Sequence, residues 1–158
     1  MISVRTMTGA FLIHNDEVLM LKRSKNKKIA PGLWSCVGGH VEPHEHGSPE
    51  KSCLREIEEE TGISRMEIEN LTLRYILLRR KEDELRQHYI FFGHSKTRTV
   101  SRCDEGELHW MKLSEMAHLQ MSLSLKLMVD HYLHHSETDH VWTGTFCDGK
   151  MLWAQLSK

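Results

Sequence analysis

The chain has 158 residues, of which 39% are hydrophobic and 27% are charged, and its formal net charge is -1. This composition is typical of a globular protein, and we expect residues 1–158 to form a single domain. The near-neutral charge excludes a strong basic field for holding long nucleic acid, so any nucleotide partner is expected to be a small molecule.

The N-terminal residues 1–16 show neither the sustained apolar stretch nor the cleavage site of a signal peptide, and no segment approaches the ~20 apolar residues of a membrane span. We therefore expect a cytoplasmic location and no membrane partner. The cysteines, Cys36, Cys53, Cys103 and Cys147, are far apart in the chain. They predict reduced, mostly packed thiols rather than a zinc knuckle or a disulfide framework.

Short apolar runs alternate with helical patterns along the chain. Strands are predicted at 4–13, 17–21, 33–37, 71–79, 88–94, 108–112, 141–146 and 151–156. Ser48-Pro49-Glu50 is a helix-start pattern in which the Ser side chain can cap free N–H groups, and Gly62 is the matching stop. A second helix is predicted at 122–135. Interleaved strands and helices predict an α/β fold with a mixed sheet covered by helices.

The helix that begins at Pro49 carries an unusual set of carboxylates. At 100° per residue, Glu56, Glu59 and Glu60 share one face, whereas Glu58 points elsewhere. Like charges at this spacing repel, so a cation is expected among them. Arg55 can reach Glu59 but cannot neutralise all three. Carboxylate oxygens without a nearby thiolate favour a hard divalent ion, Mg²⁺ or Mn²⁺, of the kind that binds substrate phosphates.

The spacing of these residues resembles a known family pattern. Gly39, Glu45 and the run Arg55-Glu56-Ile57-x-Glu59-Glu60-x-Gly62-Ile63 resemble the Nudix box, G-x5-E-x7-R-E-U-x-E-E-x-G-U, where U is an aliphatic residue. Residues 31–34 and 105–110 extend the similarity to MutT-type hydrolases. The resemblance implies an α/β/α sandwich with a mixed β-sheet flanked by helices, and Mg²⁺- or Mn²⁺-dependent hydrolysis of phosphoanhydrides.

The resemblance also implies roles for individual residues in this site. It makes Glu56, Glu59 and Glu60 metal ligands, helped by the Gly39 carbonyl, with Arg55 orienting the glutamates.

In MutT-like relatives a late-loop glutamate, which Glu105 matches, adds a metal ligand or serves as the base. The choice of base between Glu59 and Glu105 stays open. Arg23 matches a phosphate contact. Gly38 is expected to bring backbone close to the phosphates and Trp34 to offer a surface to the base, although aromatic residues such as Trp34, Trp110 and those at 89–92 belong more often to a core.

The segment between Glu45 and Arg55 departs from the pattern. It has nine residues, 46–54, where the box has seven. Lengthening a flexible loop by two residues costs only a few tenths of a kcal/mol, about as loop-closure entropy predicts, so the helix is expected to keep its position. The placement of Glu45 becomes uncertain. A protonated His44 or His46 on this loop is a further candidate for contact with a phosphate.

The leading hypothesis for the activity is a nucleoside triphosphate pyrophosphohydrolase, with oxidised guanine nucleotides as a candidate substrate. ADP-ribose, nucleotide-sugar and alarmone hydrolysis are alternatives, because loops outside the box set specificity. Two other classes stay open: an isopentenyl diphosphate isomerase, for which Cys36 stands two residues early, and a non-catalytic nucleotide sensor. The oligomeric state is not determined by the sequence, and a homodimer is one candidate.

A second cluster of metal-binding residue types lies near the C-terminus. His131 and His135 are spaced four apart on the second predicted helix, with His134 and His140 nearby. This spacing is compatible with a zinc site. No acidic partner or thiol accompanies the histidines, so surface histidines are the favoured interpretation.

Overall fold

The computed structural model describes residues 1–156. In this part of the chain the strands are β1 (Ser3–His14), β2 (Glu17–Arg23), β3 (Trp34–Ser35), β4 (Val37–His40), β5 (Ile68–Lys81), β6 (Glu84–Ser95), β7 (Gly106–Lys112), β8 (Trp142–Cys147) and β9 (Lys150–Gln155). The helices are α1 (Pro49–Thr61) and α2 (Leu123–His135), with short 3₁₀ turns at Pro43–Glu45, Arg65–Glu67 and Leu113–His118. None of the helices in the described range is long and apolar enough to cross a membrane.

The strands form one mixed sheet in the order β3-β2-β1-β6-β5-β8-β9, with β4 paired to β1 and β7 to β2. The β1–β6 and β5–β8 pairs are parallel, and the other pairs are antiparallel. In the short pairing of β4 with β1, Gly38 lies opposite Gly9 and Gly39 opposite Thr8. The two glycines are therefore held in register on the central strand of the sheet.

Alternating side chains of β1 divide the core between the two faces of the sheet. Ala10 and Leu12 pack toward α1, together with Cys53 and Ile57. The neighbouring positions on β1 pack on the opposite face, against α2. That second layer contains Phe11, Ile13, Tyr75, Phe92, Met128, Val129 and Tyr132. Because successive strand residues point to opposite faces, one apolar strand joins two helical layers. The expected α/β/α sandwich with a mixed sheet is confirmed.

The predicted strands are present, but one boundary was wrong. The single strand predicted at 33–37 is two short strands, β3 and β4, and Gly38-Gly39 lies inside β4 rather than in the loop that follows it. Glycine has low strand propensity, so the sequence pattern ended the strand early; pairing with β1 overrides that propensity. The other strands begin or end a few residues from the predicted limits.

Helix α1 has the predicted ends but not the predicted cap. Gly62 follows it with a left-handed φ of 77°, as the stop signal required. Ser48 is the N-cap residue, yet its side chain makes no capping hydrogen bond; the backbone of Ser48 instead accepts from Lys51 and Ser52. Of the predicted apolar stripe, Cys53 and Ile57 are fully buried, and they fix which face of α1 is left for the glutamates.

Candidate active site

Arg55, at the middle of α1, is the centre of a carboxylate network. Its guanidinium donates two hydrogen bonds to Glu45, at 2.8 and 3.0 Å, and one each to Glu56 at 2.9 Å and Glu59 at 3.1 Å. It also donates to the His40 carbonyl at 3.0 Å. With five bonds on one planar group, Arg55 holds Glu45, Glu56 and Glu59 in position. Glu60, which the resemblance also placed among the glutamates that Arg55 orients, instead accepts a hydrogen bond from the Gly38 N–H.

Glu45 lies at this network despite the longer loop that follows it. Its side chain is 8% exposed and receives the paired bonds from Arg55. Those bonds hold the pKa of Glu45 at about 2, so the carboxylate is ionised throughout the physiological range. The two additional residues are accommodated between Glu45 and Arg55 without separating the pair.

Glu60 and Glu56 lie on the side of α1 that faces the sheet. Burial, together with the charges of Glu56 and Glu105, raises the pKa of Glu60 to about 8, against the hydrogen bond of 3.1 Å that the Gly38 N–H donates to it. Burial also raises the pKa of Glu56, whose side chain is 14% exposed. Two partly desolvated carboxylates near each other form a site that a cation would stabilise.

Gly39 provides the close backbone approach at this site. A Cβ added to Gly39 would lie 2.4 Å from the carboxyl carbon of Glu56, closer than any side chain tolerates. Glycine lets the Glu56 carboxylate lie against strand β4, whereas a side chain at position 39 would displace that carboxylate. The backbone of Gly38-Gly39 and the carboxylates of Glu56 and Glu60 therefore form one compact, oxygen-rich surface.

This surface is one end of a cavity of about 700 Å³, a volume in the range of small-molecule sites. At the same end the cavity is lined by Arg23, Lys28, Trp34 and Glu105. It then runs between the sheet and the start of α2. The side chains farther along it are Leu77, Leu78, Arg79, Lys81, Arg86, His88, Ser122, Ser124, Leu125, Phe146 and Met151.

The late-loop candidate Glu105 and the candidate phosphate contact Arg23, at the end of β2, meet beside the carboxylate end. Glu105 pairs with Lys27 at 3.3 Å and with Arg23 at 3.8 Å, and Arg23 also donates to the Ile29 carbonyl at 2.9 Å. Glu59, by contrast, is 58% exposed, points to Arg55 and does not line the cavity. The fold thus brings Glu105 to the cavity and leaves Glu59 on its outer side.

The donor set of this site fits a hard divalent ion. Glu56 and Glu60 supply carboxylate oxygens. At the adjacent position 39, glycine leaves open the space beside Glu56 that a Cβ would fill. Carboxylate and carbonyl oxygens are the ligands of Mg²⁺ and Mn²⁺. In residues 1–156 no group of three or more His, Cys, Asp or Glu side chains is positioned to hold a metal ion, so a metal held by Glu56 and Glu60 would need water or substrate oxygens to complete its coordination.

Most of the aromatic residues considered as a surface for a base belong to the core, which was the favoured interpretation. Trp34 lines the cavity, with its ring edge-on to His109 at 5.3 Å. Trp110 packs with the α1 layer and does not line the cavity. Of residues 89–92, Ile90, Phe91 and Phe92 are buried in the two core layers. Strand alternation placed these aromatic side chains in the core.

His44 and His46 are both exposed, and neither lines the cavity. His44 instead approaches a carboxylate oxygen of Glu42 at 3.6 Å. The enlarged loop therefore holds these histidines away from the carboxylate end, and the structure gives no support to their contact with a phosphate.

The C-terminal histidines belong to an aromatic cluster rather than to a metal cage. His131 is hydrogen-bonded through Nδ1 to the Tyr75 hydroxyl at 2.9 Å, stacks on His135 at 3.9 Å and contacts Trp142 and Trp153. No metal-holding group is found in the described residues. The zinc alternative is therefore not supported, and the interpretation as surface histidines was wrong for His131, which is half-buried.

Several residues that line the cavity were not identified from the sequence. Arg79 comes from β5, Arg86 and His88 come from β6, and Ser122 is the N-cap residue that precedes α2. The strand register would have placed Arg79 opposite Arg86, but the sequence gives no direct signal for that register. The free cysteines agree with expectation: Cys36, Cys53 and Cys103 are buried, and Cys147 is exposed.

Comparison with known proteins agrees with this architecture. The NUDIX domain model matches residues 4–132. A crystal structure of a MutT protein from Bacillus halodurans is 26% identical, with a TM-score of 0.70 over 96% of this chain and 97% of that one. A MutT protein from Methanosarcina mazei Go1 is 20% identical, with a TM-score of 0.73 over 87% of this chain and 98% of that one.

A shorter match involves a curated relative of Xenopus laevis described as m7GpppN-mRNA hydrolase NUDT17. It is 43% identical over 54 residues, which are 34% of this chain and only 18% of the relative's length. The family match covers most of the chain and the fold match nearly all of it. The chain therefore belongs to the Nudix family.

Proposed function

We propose that the protein is a Mg²⁺-dependent hydrolase of nucleoside diphosphate-X compounds, with a nucleoside triphosphate as substrate and an oxidised guanine nucleotide as the leading candidate. The observation that carries the proposal is the pair of partly buried carboxylates, Glu56 and Glu60, beside Gly38-Gly39 at one end of a nucleotide-sized cavity. The MutT-like fold supports the choice of nucleoside triphosphates.

Each side chain at this end has a separate part in the proposal. Glu56 and Glu60 would hold Mg²⁺ or Mn²⁺, with the Gly39 carbonyl, and Glu59 would add a carboxylate from the outer side of α1. Arg55 holds Glu56 and Glu59 in place. When bound, a divalent ion supplies Lewis-acid activation of water and stabilises charge on the leaving phosphate. Arg23 and Lys28 bring positive charge to the cavity for the phosphates.

We favour Glu105 over Glu59 as the base. Glu105 lines the cavity beside Glu60, whereas Glu59 is on the outer side and is engaged by Arg55. A base must reach the proton that it removes, directly or through one water. In this proposal Glu105 takes the proton of the attacking water while the phosphoanhydride bond breaks and the leaving phosphate departs.

A substrate panel tests the proposed function. Guanosine triphosphate, 8-oxo-deoxyguanosine triphosphate, ADP-ribose, a nucleotide sugar and a guanosine tetraphosphate alarmone are incubated with Mg²⁺ or Mn²⁺, and released pyrophosphate and orthophosphate are measured. We expect the triphosphates to give a nucleoside monophosphate and pyrophosphate. Glu60→Gln should strongly reduce this release, whereas Glu58→Gln, at an exposed neighbour on the same helix, should not. Turnover of ADP-ribose or of the nucleotide sugar, without turnover of the triphosphates, would mean that the substrate is one of these alternatives.

An mRNA cap is the second candidate substrate. The similarity to a protein described as an m7GpppN-mRNA hydrolase favours including it, although that similarity covers a third of this chain. Adding a m7GpppG dinucleotide to the panel separates the two candidates. Release of m7GDP from the dinucleotide, with no turnover of free triphosphates, would favour the cap.

The two other classes predict different results in the same panel. An isomerase needs an acid or base in the cavity, and burial raises the pKa of the nearby Cys36 thiol to about 12, so that it holds its proton near neutral pH. Isomerisation of isopentenyl diphosphate without phosphate release would overturn the hydrolase proposal. Tight binding of nucleotides without turnover would favour a sensor.

A further inference from the structure

A row of arginines crosses the sheet at the end of the cavity that is remote from α1. In the pairing registers, Arg5 of β1 lies opposite Arg86 of β6, which lies opposite Arg79 of β5. Residues opposite each other in neighbouring strands point to the same face of a sheet. The three guanidinium groups therefore share one face, the one that α2 covers. Like charges in this arrangement destabilise a sheet unless anions compensate them.

Glu84 compensates only part of this positive charge. It accepts from Arg86 at 2.6 Å and from Arg5 at 3.1 Å, and Lys81 lies opposite it in the strand register. Those cations lower the pKa of Glu84, so its one charge is already shared. Among residues 1–156, Arg79 makes no ion pair, although it is half-buried. Arg79 therefore presents an uncompensated positive charge.

The uncompensated charge of Arg79 lies at the wall of the cavity. Arg79, Lys81 and Arg86 line the same cavity as Glu56 and Glu60. The start of α2 also lines it, through Ser122 and Ser124. The first turn of α2 carries no acidic residue and no side-chain cap. Its free N–H groups and the positive end of its dipole thus reinforce the field of the arginines.

The two ends of the cavity therefore attract groups of opposite charge: the α1 end attracts a cation, and the far end attracts an anion. The α1 end carries carboxylates and suits a metal with phosphates, whereas the far end carries several cations that Glu84 compensates only in part. We propose that the far end, with Arg79 as its principal contact, binds a second anionic group of the substrate, a phosphate monoester or a carboxylate remote from the scissile phosphoanhydride. This inference rests on the proposed function, because it uses the same cavity for the substrate. Within the proposed class of nucleoside diphosphate-X compounds, it favours those whose ribose or X group carries an additional anion over a plain nucleoside triphosphate.

Paired ligands that differ by one anionic group test this inference without turnover. One pair is guanosine 5′-monophosphate and guanosine 3′,5′-bisphosphate, which differ by a phosphate. The other is UDP-glucose and UDP-glucuronic acid, which differ by a carboxylate. Affinities are measured by calorimetry without divalent metal. We expect the wild-type protein to bind the more anionic member of at least one pair about tenfold more tightly, as one charge-assisted hydrogen bond allows.

Three variants assign the preference to Arg79. Arg79→Gln should lose the preference and bind the less anionic member as the wild type does, whereas Arg79→Lys, which keeps the charge, should retain part of it. Arg80→Gln is the matched control, since Arg80 is the next residue on β5, is exposed and does not line the cavity. Arg79→Gln removes repulsion from Arg86, so its melting temperature should not fall.

Two outcomes would overturn the inference. One is equal affinity, or no binding, within both pairs for the wild-type protein. The other is an equal loss for both members of a pair in Arg79→Gln, which would mean that Arg79 contacts the shared base, sugar or 5′-phosphate. The wild-type preference should also weaken as sodium chloride is raised, a readout that needs no variant. Failure of the proposed function would appear differently, as an anion preference without hydrolysis in the metal-dependent panel.

Discussion

Two sets of metal-binding residue types, the glutamates of α1 and the histidines of α2, have the same helical spacing but occupy different environments. Glu56 and Glu60 lie against strand β4 and line a cavity, where burial raises their pKa values. His131 and His135 stack on each other among tryptophans, and His131 bonds to Tyr75. Spacing four apart on a helix is therefore not enough to make a metal site.

Open space and backbone oxygens beside the side chains distinguish the glutamate cluster from the histidine cluster. The α1 glutamates have space and backbone oxygens beside them, because Gly39 leaves room that any other residue would fill. The α2 histidines have their positions filled by aromatic rings and by a hydroxyl. A carboxylate pair with raised pKa values and open space is stabilised by a cation, whereas a packed neutral imidazole is already satisfied.

The largest expected effect comes from removing one of the buried carboxylates. Glu60→Gln keeps the size of the side chain but removes a charge proposed to hold the metal, and it should lower kcat/KM by roughly 10²–10³-fold, as loss of one preorganised electrostatic group does. His131→Gln should leave kcat/KM unchanged. Steady-state kinetics with Mg²⁺ checks both variants. Comparable losses in the two would erase the distinction between the clusters.

Substitution of Arg55 should have the second-largest effect on activity. Arg55→Gln leaves Glu45, Glu56 and Glu59 without their shared partner, and mispositioning at a reacting centre costs on the order of 10²-fold in rate. The loss should appear in kcat rather than in KM, because Arg55 does not line the cavity. Arg55→Lys should recover only part of the activity, since lysine cannot make the paired bonds to Glu45. Full recovery by lysine would contradict the orienting role.

A smaller effect is expected from filling the space at Gly39. In Gly39→Ala the new Cβ would lie 2.4 Å from the Glu56 carboxyl carbon, so that carboxylate must move. We expect roughly a tenfold loss of kcat/KM, less than for outright mispositioning, with a small change in melting temperature because the displaced group is a side-chain end. Gly47→Ala is the control, since a Cβ there meets nothing within 4 Å. Similar activity in the two variants would show that the close approach is dispensable.

The histidine cluster should affect stability rather than activity. Burial, with the charges of His135 and His134, lowers the pKa of His131 to about 4 from a usual value near 6.5. The unfolded chain then binds a proton more readily than the folded protein, so the free energy of unfolding should fall as the pH drops from about 6.5 to 4. Urea unfolding at pH 7, 6 and 5 should show a shallower fall for His131→Gln. His88, whose pKa burial also lowers to about 4, keeps part of the slope.

The smallest expected effect is that of shortening the loop to the family length. Deleting His46 and Gly47, which are both exposed, should change the free energy of unfolding by only a few tenths of a kcal/mol, roughly the loop-closure cost. The bonds between Glu45 and Arg55 should survive. Chemical denaturation and kinetics of the deletion variant measure this. A large loss of activity would mean that the longer loop, not the Arg55 network, positions Glu45.

Much of the fold and of the carboxylate end follows from local patterns. The helix that carries Glu56, Glu59 and Glu60 could be predicted because its Pro and Gly limits and its buried positions, Cys53 and Ile57, are close in sequence. The environment of each carboxylate could not be predicted from the sequence. That Glu60 faces the cavity while Glu59 faces outward depends on how α1 is rotated against the sheet, which is a result of tertiary packing.

The far end of the cavity shows more clearly what the sequence could not predict. Arg79 and Arg86 are ordinary strand residues in the sequence, and only the hairpin register places them opposite each other. A shift of one residue would turn them to the other face. The boundary between β3 and β4 was missed for a related reason, because pairing with β1 holds Gly38-Gly39 in a strand against their local preference.

Direct metal binding tests the central claim most closely. Mn²⁺ binding, measured by electron paramagnetic resonance, is compared for the wild type, a Glu56→Gln, Glu60→Gln double variant and a His131→Gln, His135→Gln double variant. We predict that the wild type and the histidine variant bind Mn²⁺ equally and that the glutamate variant loses binding. Retained binding in the glutamate variant, or its loss in the histidine variant, would contradict a metal site at the α1 end of the cavity.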